Sequence, residues 1–124
     1  MDKQTRAILD GKAVTMQLTF LGKDTQGGGS PTLFATDHDT YVVQGYRVPG
    51  RQASVEIPKK LLGYLERDMD LAAVLHATGR DSCILSGVVV TDAEALAQMD
   101  MPDHETCVEV GKVRKGGADA TGAG

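Results

Sequence analysis

Residues 14–21 alternate apolar Val14, Met16, Leu18 and Phe20 with polar Thr15, Gln17 and Thr19, and this period of two predicts a β-strand. It stops at residues 22–31, where consecutive glycines and Ser30-Pro31 supply neither a core nor a helix, so a flexible loop is expected. Thr32 to Thr36 and Thr40 to Val48 read as two strands joined by an Asp37-His38-Asp39 turn, whose side chains bond their own backbone. Pro49-Gly50 then turns the chain into a further strand over Ala53 to Ile57. Pro58 suits a first helical position, and Leu61, Leu62, Leu65, Met69 and Ala73 recur at helical spacing. A helical segment is therefore predicted over 58–77, as one kinked rod or as two helices with Asp70 capping the second. A strand over 83–90 follows, and Thr91-Asp-Ala-Glu94 reads as a capping box opening a helix over 92–99. Pro102 ends that helix, and Thr106 to Val113 form the last strand. Residues 116–124 have nothing to bury and are expected to be a disordered tail.

The chain also repeats itself. Val42-Val-Gln-Gly-Tyr-Arg-Val48 and Ile84-Leu-Ser-Gly-Val-Val-Val90 share a glycine in mid-strand, which marks a bulge or a close backbone approach. Each is followed by a matching strand, Ser54-Val-Glu-Ile-Pro-Lys59 or Cys107-Val-Glu-Val-Gly-Lys112, so Gly45 and Gly87 are expected at matched positions. The connectors differ: Pro49 to Gln52 is a tight turn, whereas Thr91 to Thr106 has room for a helix. The expected architecture is a single α+β domain over residues 1–115, with a mostly antiparallel sheet of about six strands, two or three helices packed on it and an internal pseudo-repeat of a β-β unit.

Composition narrows the function. A chain of 124 residues can bury a core unaided, and with no Trp, three Tyr and two Phe that core must be aliphatic. A net charge of −4 argues against nucleic-acid binding, which needs a dense cationic face; Lys59-Lys60 and Lys112 to Lys115 are the only basic concentrations. Neither an export signal nor a run long enough to cross a membrane is visible, and Cys83 and Cys107 lie in predicted strands, so a cytoplasmic protein with reduced thiols is expected.

Ser30-Pro-Thr-Leu-Phe-Ala-Thr-Asp37 with Thr40-Tyr-Val-Val-Gln-Gly45, then Thr91-Asp-Ala-Glu-Ala-Leu-Ala-Gln-Met99 and Pro102-Asp-His-Glu-Thr-Cys-Val-Glu109, resembles a family of small uncharacterised actinobacterial proteins. In that family's pattern the Tyr-Val-Val-Gln-Gly strand runs directly into the Thr-Asp-x-Glu-Ala-Leu-Ala helix, whereas here the helical connector appears only in the second unit. The resemblance implies an accessory protein of the kind found near helix-turn-helix regulators, with no established activity.

Among candidate chemistries, His104 and Cys107 have the residue types of a base and a nucleophile. With His76, Cys83 and His38 they also include zinc-ligand types, at spacings that match no compact zinc motif. Asp37-His38-Asp39 has divalent-cation donors but reads first as a turn, and the glycines after Gly22 lack the order of a phosphate loop. No cofactor or metal is therefore expected. The β-branched run Val88-Val89-Val90 cannot place every side chain on one sheet face, so it is either covered on both sides or meets another chain. The favoured function is a small non-catalytic binding or regulatory accessory protein. Its partner would be another protein, a helix-turn-helix regulator or a second copy in a homodimer, with Val88, Val89 and Val90 as interface candidates. The alternative is a small enzyme or metal-dependent protein using Cys107 and His104.

Overall fold

The computed structural model describes residues 16–25 and 29–115. The expected tail at 116–124, part of the 22–31 loop and the start of the strand predicted from residue 14 fall outside these bounds. The described chain runs β1 (Leu18–Lys23), β2 (Thr32–Thr36), β3 (Thr40–Val48), β4 (Arg51–Pro58), a 3₁₀ helix (Lys59–Tyr64), β5 (Met69–Ala72), β6 (His76–Ala77), β7 (Ser82–Ser86), β8 (Val88–Val89), α1 (Ala93–Leu96) and β9 (Glu105–Arg114). Every strand pair is antiparallel.

The fold is mainly β, which corrects the α+β expectation: nine strands stand beside two short helices. The largest departure is residues 58–77. Their apolar spacing suits one 3₁₀ turn, which buries Leu61, but Leu65 is already extended and Asp68 takes a left-handed φ of 64°. That reversal sends Leu71 into a ladder with Lys112, so the second half of the supposed helix is β5 and β6. The helix predicted over 92–99 shrinks to Ala93–Leu96. Its N-cap is Asp92 rather than Thr91, with a carboxylate oxygen accepting from the Glu94 N–H at 3.3 Å.

Two units with one register build the sheet. β3 pairs with β9 from Thr40↔Gly111 to Tyr46↔Glu105, and β7 pairs with β4 from Ser82↔Pro58 to Ser86↔Ser54. Beyond the mid-strand glycine the other edge of each strand changes neighbour: β2 gives way to β4, with Tyr46 facing Glu56, and β6 gives way to β9, with Val88 facing Glu109. With β7 and β8 treated as one strand bent at Gly87, the circuit β3, β4, β7/β8, β9 and back to β3 closes into a small barrel. The outer hairpins match as well, since β2 meets β3 in the same register as β6 meets β7.

Closure brings backbones together at the two glycines. A Cβ on Gly45 would lie 2.7 Å from the Glu56 carbonyl oxygen and 2.7 Å from Ile57 Cγ2. On Gly87 it would lie 2.6 Å from the Glu109 carbonyl oxygen and 2.7 Å from Val110 Cγ1. Each glycine thus sits over the matching Val-Glu-Ile/Val stretch in the second strand of its own unit. The barrel interior holds matched aliphatic residues, Val43 and Leu85, Val55 and Val108, Ile57 and Val110, with Tyr41 opposite in role to the smaller Cys83. A second core lies outside the barrel wall, where Met16, Phe34, Val42, Val90, Ala95 and Cys107 pack together. β2 is therefore buried at every position, because its two faces serve two cores.

Gly45→Ala and Gly87→Ala are each expected to lower stability by about 1–3 kcal/mol, the usual cost of overpacking, in urea unfolding. Gly63→Ala, where a new Cβ meets nothing within 4 Å, should change it by less than about 0.5 kcal/mol.

Candidate functional site

Each unit is stapled by the same polar chain at its hairpin turn. Thr36 Oγ1 lies 2.6 Å from Thr40 Oγ1, which donates to Glu109 Oε2 at 2.6 Å. In the second unit Thr78 Oγ1 lies 2.6 Å from Ser82 Oγ, which donates to Glu56 Oε2 at 2.6 Å. Asp39 and Asp81 both take φ of 65° to complete these turns. The Ser82 hydroxyl and then the Arg80 guanidinium, 2.9 Å away, hold the Glu56 carboxyl below its ordinary value. Asp37, His38 and Asp39 are thus turn residues. Among the described residues no three His, Cys, Asp or Glu side chains converge on a point that would hold a metal.

The units differ in what covers them. β1 adds a strand to the outer edge of β2, and the long connector 91–104 clamps that strand from above. Asp92 Oδ2 accepts from Met16 N at 3.1 Å. Gln98 accepts from Leu18 N at 2.9 Å and donates to Met16 O at 3.0 Å. Leu96, Met99 and Met101 close over Met16 and Phe34. In the second unit β6 is the terminal strand of its path and nothing described occupies the place of β1. The shared register makes Thr32 and Leu33 the counterparts of Val74 and Leu75. Thr32 and Leu33 are 5% and 1% exposed; Val74 and Leu75 are 71% and 37% exposed.

The Val88-Val89-Val90 run divides. Val90 is buried in the second core, while Val88 and Val89 are 71% and 37% exposed. Their strand β8 shares one edge of β9 with β5. The opposite edge of β9 is taken by β3 over Glu105 to Gly111, so Val88 at Glu109 and Ala72 at Gly111 must lie along the other. An apolar margin therefore runs through the second unit by way of Val74, Leu75, Val88 and Val89. Sequence reasoning reached its β8 part; Val74 and Leu75 were hidden because they were read as helix.

His104 and Cys107 do not form a reactive pair. The His104 ring stacks on Tyr46, with centroids 5.9 Å apart and planes 20° apart, on the outside of the barrel. Cys107 faces the second core at 1% exposure, and burial alone pushes its thiol up to about 11, so the thiolate nucleophile is scarce at neutral pH. Cys83 is buried inside the barrel and is also pushed up by burial. Between His104 and Cys107 lies Glu105, a fully buried acid. Gln44 Nε2 donates to its Oε1 at 2.7 Å, while its Oε2 has no hydrogen-bond partner and lies 3.5 Å from His104 Nε2. That last contact is too long for a strong hydrogen bond and leaves only charge attraction. Burial raises the Glu105 acid, with Gln44 and then His104 opposing.

No protein-family model, curated protein or solved structure matches this chain. Among the described residues no helix is long and apolar enough to cross a membrane.

A thiol-specific chromogenic reagent at pH 8 is expected to titrate neither Cys83 nor Cys107 in the native protein and both after denaturation. Because the folded Glu105 acid holds its proton more tightly than the unfolded chain does, its contribution is full below the ordinary carboxylate value and is lost as pH rises through the raised one. Glu105→Gln should therefore gain stability relative to the parent as pH rises from 4 to 7, read from urea unfolding at each pH.

Proposed function

We propose that this protein is a non-catalytic binding module that takes up an extended apolar strand from a protein partner on the open edge of its second unit. The observation that supports this reading is the unequal cover of two matched units. The edge of β2 carries β1, a strand containing Leu18, Phe20 and Leu21, while among the described residues the equivalent edge of β6 carries none, and Val74 and Leu75 just before it are exposed. The first unit thereby serves as a template for the second. An incoming strand of β1-like character would pair its backbone with the β6 edge and set apolar side chains against Val74 and Leu75, which is the chemistry of strand addition. Exposed strand edges are ordinarily blunted by charge or cover, and β6, His76–Ala77, carries neither an acid nor a lysine and is preceded by the exposed apolar Val74 and Leu75. The buried, unactivated thiols favour this over the enzymatic alternative.

A peptide copying residues 16–23, titrated into the full chain and followed by amide resonances, should bind saturably and shift residues 74–77 and 83–84. Leu75→Asp should abolish those shifts with the fold intact by circular dichroism. Shifts that survive Leu75→Asp, or no saturation at millimolar peptide, would refute the reading. Light scattering identifies the natural occupant: a dimer that dissociates in Leu75→Asp assigns the strand to a second copy, and a monomer assigns it to another protein.

A further inference from the structure

A groove of about 410 Å³ lies against the β3–β4 hairpin, lined by residues other than those of the β6 edge. Its lining includes Arg47, Arg51, Gln52 and Thr106, and no acidic residue is among the residues that line it. In a chain of net charge −4 this is a local reversal of sign. The neighbouring groove of about 370 Å³, by contrast, is lined by Asp24, Glu56 and Asp81 with Arg80.

The cations are also uncompensated. Arg47 Nε donates to the neutral Asp103 carbonyl at 2.7 Å, which fixes the guanidinium plane and leaves its terminal nitrogens to donate elsewhere. Among the described residues neither Arg47 nor Arg51 lies within 4.0 Å of an acidic side chain. The nearest acid in sequence, Glu105 beside Thr106, is buried and points away, since adjacent side chains on a strand alternate faces. At the mouth Gly50, with φ of 78°, leaves open space where a side chain would stand. Two arginines lining one groove with no acidic residue among its lining suit the several oxygens of a phosphate group.

We propose that this groove is a binding site for a small phosphate-bearing anion, held by Arg47 and Arg51 with Gln52 and Thr106 as further donors. The site does not depend on the strand-docking edge. Calorimetric titration of the full chain with inorganic pyrophosphate, at constant ionic strength set with chloride, should show saturable one-site binding. Arg51→Ala, a change of an exposed side chain, should weaken it at least about tenfold, the loss expected for a charge-assisted hydrogen bond. Arg47→Lys keeps the charge without the fork and should also weaken it, whereas Leu75→Asp should leave it unchanged. Heat that does not saturate, an affinity untouched by Arg51→Ala, or binding of citrate in place of pyrophosphate would overturn the proposal.

Discussion

Closure of the barrel depends on two places where one strand passes another at backbone distance. At Gly45 and Gly87 the facing chain comes so near that any side chain would overlap a carbonyl oxygen. These crossings let β3 exchange β2 for β4 along one edge while β9 holds the other, and let the bent strand β7/β8 exchange β6 for β9 while β4 holds its other edge. Without them the four strands would splay into an open sheet with exposed edges. The aliphatic interior follows from the same geometry, because the residues flanking each crossing, Val55 with Ile57 and Val108 with Val110, are thereby turned inward.

Symmetry of the backbone is not matched by symmetry of cover. The connector after β8, residues 90–104, is thirteen residues longer than its counterpart between β3 and β4, residues 49–50, and it returns to the first unit rather than to its own. Asp92 and Gln98 hold it against β1, so the first unit is roofed by sequence belonging to the second. Among the described residues the second unit has no such roof, and Val74, Leu75, Val88 and Val89 are exposed. The proposed docking role thus rests on a difference in one connector laid over an otherwise equal pair. The cationic groove at the short connector is a further product of that difference: the tight turn at Pro49-Gly50 leaves Arg47 and Arg51 at an accessible corner.

Much of the barrel was legible in the sequence. The paired glycines and the two Val-Glu strands show up as a pattern because both crossings demand the same small residue over the same aliphatic shelf. β2, β3, β4 and β9 were bounded correctly to within about two residues, the ordinary spread of boundary assignment. Residues 58–77 were not legible: Leu61, Leu65 and Met69 keep helical spacing, yet the left-handed Asp68 and the pull of the β9 ladder override it. Local periodicity cannot register a partner strand that arrives some forty residues later. The Val88 to Val90 run signalled a surface correctly only in part, since Val90 belongs to a core built by Met16 and Ala95 from distant segments.

The longest ladder of each unit is made with the other unit: along one flank Thr40 to Tyr46 pairs with Glu105 to Gly111. During synthesis the early hairpin therefore emerges with one flank of β3 unsatisfied, and it stays so until the last strand has left the ribosome. Such non-local pairing makes folding slow and late. Until then the nascent chain displays aliphatic strands that neighbouring polypeptides can capture, and its safe passage depends on the time between the two halves.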